Sequence, residues 1–173
     1  NWMIKTLMGS IRDYMKVTIA TPLLVLGEVI CQMMIPFITA DMIDAIKDGT
    51  VTCIGTDHAP HTAEEKEKGA AGMVGLETAF GVCYTKLCKE EGLPLELLVH
   101  LMSTRPAEIL GLAKGRLEPG YDADFVLVDL DTPYTVEKEK LHSKSHNCPY
   151  DGVQLYGKVC ATIKGGELTY QAD

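Results

Sequence analysis

The densest group of chemically versatile side chains is the run Thr56-Asp57-His58-Ala59-Pro60-His61. A carboxylate at the rigid end of an element can meet a metal ion and take a proton from metal-bound water. Asp57 would hold that place if the residues before it form a strand. Pro60 stiffens the turn and sets the direction of His61, whose imidazole can donate to an anionic group or bind a metal. The same residue types have a plainer use, because Asp and Pro often follow strands only to make turns. His58 follows Asp57 directly and points elsewhere in an extended chain, and two histidines with one carboxylate do not make a tetrahedral zinc site. His58 is therefore expected as a packed or hydrogen-bonded supporting residue.

The elements that would position this run can be read on either side of it. Ala40 to Lys47 has the pattern of a short helix, with Thr39 as N-cap and Gly49 as the left-handed stop after Asp48. Thr50 to Thr56 is β-branched and flanked by turns, which predicts a buried strand. Asp57 to Gly75 is polar and Gly-rich and predicts a long loop. Its charge run Glu64 to Lys68 reads as a solvated face, or as part of a lid over the site. Leu76, Ala79, Phe80, Cys83 and Leu87 recur at helical spacing, so residues 76–91 predict an amphipathic helix ended by Gly92. Pro94 opens a second helix through Met102, and Pro106 a third to Leu110. Strand, polar loop, then helix is the order a parallel α/β barrel presents at its catalytic face.

Past Gly111 the pattern changes to short strands: Asp124 to Asp129, Val153 to Tyr156, Val159 to Ile163 and Glu167 to Tyr170, with Gly165-Gly166 as a two-residue hairpin turn. This segment predicts part of a small β-domain beside the barrel portion. Residues 1–40 are rich in Met, Ile, Leu and Thr, have poor periodicity, and contain a β-like run from Lys16 to Ile19. Three parts are thus expected: 1–40, 41–111 and 112–173.

Composition narrows the class. A hydrophobic fraction of 46% with 23% charged residues belongs to a globular chain. A net charge of −8 without a basic stripe argues against nucleic acid. The six cysteines show neither C-x-x-C pairs nor regular spacing, so a reduced, cytoplasmic setting is expected rather than a disulfide framework. Asn1 to Ser10 lacks the signature of a signal peptide. Ile19 to Ile38 is apolar but interrupted by Glu28, Gln32, two prolines and a glycine, and no membrane partner is expected. At 173 residues the chain is too short for a whole (β/α)8 barrel of about 250 residues. The methionines read as core fillers, His100, His142 and His146 as surface residues, and Arg105 as a packing or local hydrogen-bonding residue.

The run TDHAPHTAEEK, followed by GMVGLETAF, resembles the corresponding stretch of bacterial dihydroorotases. RPAEILGLAKGRLEPGYDADFVLVDLD is similar to the junction between barrel and β-domain across the amidohydrolase superfamily, and the tail from Ser145 through Glu167 is similar to the dihydroorotase end. The resemblance extends from Asp41 to Tyr170. It implies the C-terminal part of a (β/α)8 TIM-barrel amidohydrolase plus part of a small β-sandwich domain. It further implies reversible interconversion of N-carbamoyl-L-aspartate and dihydroorotate with one or two zinc ions. Asp57 then corresponds to a metal-ligating aspartate that acts as general base and then general acid. His61 corresponds to the histidine that binds the substrate carboxylate, and Val74 and Gly75 to a loop whose backbone faces the substrate ring.

The chain also departs from that family. A complete member carries a His-x-His pair, a modified lysine bridging the metals, and two further histidines, none of which has a counterpart here. Thr21-Pro22-Leu23-Leu24 is similar to a family strand ending in Thr-Pro-His-His, with leucines in place of the histidines. Met34-Ile35-Pro36-Phe37 is similar to a Met-Asn-Pro-Pro run, with Ile35 in place of a substrate-contacting asparagine. The isolated chain is accordingly expected to be inactive and to associate with copies of itself or a complementary chain. A non-catalytic assembly partner and a hydantoinase or allantoinase relative are the alternatives.

Overall fold

The computed structural model describes Gly9 and residues 14–172, which form two compact units divided after Thr50. The expectation for Asn1 to Ser10 lies, Gly9 apart, outside the described residues.

In the first unit a single helix, α1 (Met15–Lys47), replaces the β-like run at Lys16 to Ile19 and takes in the short helix expected from Ala40 to Lys47, starting far upstream of it. Thr39 is not its N-cap: its hydroxyl donates to the Ile35 carbonyl at 3.0 Å, as Thr18 and Thr21 do to Tyr14 and Val17. That back-bonding satisfies the β-branched hydroxyls inside a helix and removes the reason to read them as strand. The stop was legible, since Gly49 has φ 82° directly after the C-cap Asp48. Pro22 and Pro36 lie inside α1, each removing one ladder hydrogen bond. Ile46 is its one buried residue. α1 is long and apolar enough to cross a membrane, a test that core helices and signal sequences also pass.

The expected strand from Thr50 to Thr56 is not a strand, and most of it is exposed. A strand exists only with a neighbour to bond. Here the backbone contacts are Ile54 N–H to the Leu101 carbonyl at 3.0 Å and one parallel bridge between His58 and Met73. The loop after it contains a short helix, α2 (Ala63–Glu67), inside what was expected to be structureless. Thr62 and Glu65 form a reciprocal capping box there, so the acidic end of the charge run serves as a helix start.

The helix expected over 76–91 is α3 (Ala79–Cys83), continued by a π-helical turn from Tyr84 to Glu90 and stopped at Gly92 with φ 70°. The next two form one continuous rod: α4 (Leu95–Val99), a π-helical turn from His100 to Thr104, and α5 (Arg105–Ile109). The wide turn ends where the Pro106 ring would otherwise meet the carbonyl of Met102, four residues back. Leu98 and Leu101, each 1% exposed, anchor this rod in the core with Leu93, Tyr84 and Ala107.

The strands are β1 (Phe125–Asp129), β2 (Tyr134–Thr135), β3 (Gln154–Leu155), β4 (Lys158–Lys164) and β5 (Glu167–Gln171). They make an antiparallel sheet in the order β1-β4-β5 and a separate pair β2-β3. Lys164 faces Glu167 across Gly165-Gly166, both with positive φ, as a two-residue turn with left-handed geometry requires. The sheet portion is joined to α3 by close contacts. Tyr156 N–H donates to Thr85 Oγ1 at 2.8 Å, and a Cβ on Gly157 would lie 3.0 Å from the Phe80 ring.

Candidate active site

Thr56 to His61 and Gly72 to Leu76 run side by side. Ala59 N–H donates to the Met73 carbonyl at 2.9 Å, next to the bridge between His58 and Met73. The approach is tight. A Cβ on Gly75 would lie 3.1 Å from the Thr56 carbonyl oxygen, and one on Gly72 would lie 2.8 Å from the Ala59 carbonyl and 3.0 Å from the His61 ring. Gly72, with φ 127°, therefore needs the absence of a side chain for both its conformation and its contacts.

Asp57 has φ 46°, the one non-glycine positive φ among the described residues, in a region that Asp tolerates better than most. Such geometry at the residue singled out for proton transfer is a feature of sites whose surroundings fix an otherwise costly conformation. Asp57 is exposed, His58 and His61 are half-buried, and Val74 is buried at 3%. The structure thus brings His58, His61, Val74 and Gly75 into one pair of segments and leaves the Asp57 side chain in solvent.

The hydrogen bonds say what each group is free to do. His58 Nδ1 accepts from Gly75 N–H at 3.1 Å and from Leu76 N–H at 3.2 Å. His61 Nδ1 lies 3.4 Å from Glu65 Oε2. Val74 N–H donates to the Asn147 carbonyl at 3.0 Å. The N–H groups of Val74 and Gly75, expected to face a substrate ring, are therefore used by the protein in this conformation.

Three supports were not visible to sequence reasoning. Lys66 Nζ donates to the Ala70 and Gly72 carbonyls at 2.8 and 3.0 Å, and the Asn147 side-chain amide donates to the same Gly72 oxygen. Glu77 binds the tail through the main-chain N–H groups of His142 and Ser143. Burial alone would push the Glu77 carboxyl up, but these hydrogen bonds and the His142 ring outweigh it and hold it below its ordinary value. None of these pairings has a local sequence signal except the Thr62/Glu65 box, which orients the helix carrying Lys66.

A zinc ion needs several convergent ligands. Among the described residues no group of three His, Cys, Asp or Glu side chains could hold a metal. The Nδ1 atom of His58 is already an acceptor for two amides, so the residues present do not fit a zinc site. A groove of about 430 Å³ lies elsewhere, between the rod end at Met102 to Leu110 and strands β1 and β4. His100, His142 and His146 are exposed, as expected, and Arg105 pairs locally with Glu108 at 3.2 Å.

Comparison with known proteins gives this geometry its context. The family model described as "Amidohydrolase family" matches residues 37–169. The chain belongs to the amidohydrolase family. Among amidohydrolase relatives, a dihydroorotase of Clostridium botulinum is 53% identical over 131 residues, covering 76% of this chain and 33% of the relative. A dihydroorotase of Lactiplantibacillus plantarum is 46% identical over 136 residues, covering 76% and 32%. The chain thus spans about a third of the length of these relatives. Among solved structures, L-hydantoinase of Arthrobacter aurescens aligns with a TM-score of 0.70 at 30% identity, covering 75% of this chain and 31% of that one. D-hydantoinase of a Thermus species aligns with a TM-score of 0.71 at 24% identity, covering 76% and 31%. Family and fold together imply a fragment of an amidohydrolase TIM barrel, in which helix and strand are mixed.

Proposed function

We propose that this chain is the C-terminal part of a dihydroorotase-type cyclic amidohydrolase, in which residues 41–111 belong to the barrel and residues 112–173 to a small β-sandwich domain. The observation that carries the reading is the 53% identity to a dihydroorotase over a stretch of 131 residues, together with the Thr56-Asp57-His58-Ala59-Pro60-His61 motif. In the reaction, water adds to the ring amide carbonyl of dihydroorotate and the carbon–nitrogen bond breaks, leaving N-carbamoyl-L-aspartate. Asp57 takes the proton from the attacking water and returns it to the departing ring nitrogen; ring closure is the reverse. His61 donates to the substrate carboxylate, and the Val74-Gly75 backbone lines the ring. One or two zinc ions are the cations implied for the complete enzyme. This chain's own side chains do not assemble their site, so the isolated chain is inactive and works in a cytoplasmic assembly with further copies or a complementary chain. The exposed edge strand β5 of the β1-β4-β5 sheet favours such association.

The experiment is a chimera in which residues 37–169 replace the corresponding segment of the Clostridium botulinum dihydroorotase. Turnover of dihydroorotate, abolished by Asp57→Asn, is expected. A preference for hydantoin would support instead the hydantoinase reading, which the likeness to L-hydantoinase favours. A folded chimera inactive toward both would support the non-catalytic assembly role, consistent with Leu23, Leu24 and Ile35 standing where a family member would carry polar residues.

A further inference from the structure

Two backbone N–H groups converge on one ring nitrogen, Nδ1 of His58, from Gly75 and Leu76 at 3.1 and 3.2 Å. An amide nitrogen only donates, so Nδ1 must present its lone pair, and the neutral ring must carry its proton on Nε2. The partners are 17 and 18 residues away in sequence and belong to the segment that packs on the Thr56 carbonyl at Gly75 and on the His61 ring at Gly72. The far side of that segment is held by Asn147, through Val74 N–H and the Gly72 carbonyl.

We propose that His58 is a positioning residue, which, as the Nε2–H tautomer, anchors the Gly75-Leu76 backbone against the Asp57 motif and so fixes the placement of the Gly72 to Leu76 loop. The inference rests on the reading that this loop faces substrate. His58 touches no reacting atom in this role. It acts through the loop, and the neighbouring Asp57 and the loop then hold a constant separation. Packing alone would be served by any ring of similar size; the anchoring role demands an acceptor at the Nδ1 position.

The test uses the 173-residue chain with isotopic labelling at neutral pH. The ring nitrogens of His58 are expected to show a protonated Nε2 and a bare Nδ1, and the Gly75 and Leu76 amides to be protected from hydrogen exchange. His58→Asn places an oxygen near the Nδ1 position and is expected to keep that protection. His58→Gln, which carries its acceptor further out, and His58→Phe, which keeps only a ring, are expected to lose it about tenfold, as the loss of two modest hydrogen bonds implies. A proton on Nδ1 in the unaltered chain overturns the proposal without any variant. So does a folded His58→Phe with full protection, or a His58→Asn as unprotected as His58→Gln. These readouts do not depend on turnover, so a chimera that fails to act on dihydroorotate leaves them untouched and the two failures are told apart.

Discussion

Glu77 holds Ser143 across 66 residues of sequence, its Oε1 accepting the Ser143 main-chain N–H at 2.9 Å while Oε2 accepts that of His142 at 2.8 Å. One carboxylate at the end of the Gly72 to Leu76 loop therefore ties down the start of the tail that returns, through Asn147, to the same loop. Hydrogen bonds to a charged acceptor contribute about 1.5–3 kcal/mol when removed. The Glu77 side chain keeps 32% of its surface in water, which screens the interaction. Glu77→Ala is expected to destabilise the chain by about 1–2 kcal/mol and to raise protease sensitivity around residues 141–147 before the rest unfolds, as urea titration and limited proteolysis would report.

The same pair gives a pH dependence. The Glu77 carboxyl is held below its ordinary value of 4.5 in the folded chain. A depressed carboxyl contributes stability that is present above its unfolded value and lost as pH falls through the folded one. The tail is thus expected to stay docked at pH 5 and above and to loosen below about 4.5. Amide exchange at His142 and Ser143, followed downward in pH, would show it. In Glu77→Gln the dependence in that window should flatten; an unchanged profile would mean that another group holds the tail.

How much of this was legible in the sequence depends on whether the stabilising partner is local. Gly165-Gly166 and Gly49 declare positive φ by residue type alone, and the helix at Ala79 follows from its own periodicity. Thr50 to Thr56 has strand composition, but strandness is a relation between segments, and among the described residues no strand pairs with it, its contact being the one bond from Ile54 to Leu101. α1 hid for the opposite reason: apolar on all sides, it has no periodic face to detect. The capping box at Thr62 and Glu65 was readable and was masked by the charge run it begins. Asp57 and His61 were singled out by type and spacing and given roles by the family resemblance, whereas Asn147, Glu77 and Lys66 could not be singled out, since each acts on a backbone group that the fold alone brings near.

Core packing supplies a sharper quantity. Leu98 is 1% exposed and sits on the rod that carries the Pro106-linked wide turn. Leu98→Ala removes buried methyl groups and leaves a cavity, which is expected to cost about 2–5 kcal/mol. Gly81→Ala tests the reverse failure, because a Cβ there would collide with the Tyr134 hydroxyl and come within 3.3 Å of the Tyr156 carbonyl. Overpacking of about 1–3 kcal/mol is expected, concentrated at the join between α3 and the β2-β3 pair. Denaturant midpoints would measure both, and a neutral Gly81→Ala would show that the join gives way at no cost.

Cysteine reactivity follows from burial. Burial pushes the Cys83 and Cys88 thiols up, Cys83 further through nearby Cys88 and Cys88 through Glu96. The thiolate is the reactive form, so both are expected to alkylate slowly at pH 8. Cys31 and Cys53 are exposed and should be labelled first. Timed iodoacetamide labelling read by peptide mass would rank them, and early labelling at Cys83 would contradict the packing of α3.

Zinc addition separates the fragment from a working site. A ligand that binds only the folded state at 100 times its dissociation constant stabilises by about 2.7 kcal/mol, a midpoint shift of about 5–11 °C in chains of this size class. With His58 Nδ1 shared by two amides and no three-ligand cluster among the described residues, the isolated chain is expected to show no such shift and to retain no stoichiometric zinc after gel filtration. Thermal scans with and without zinc, read beside elemental analysis, check this. A stoichiometric ion whose binding is abolished by Asp57→Ala would mean that this chain rearranges to gather ligands it holds apart here.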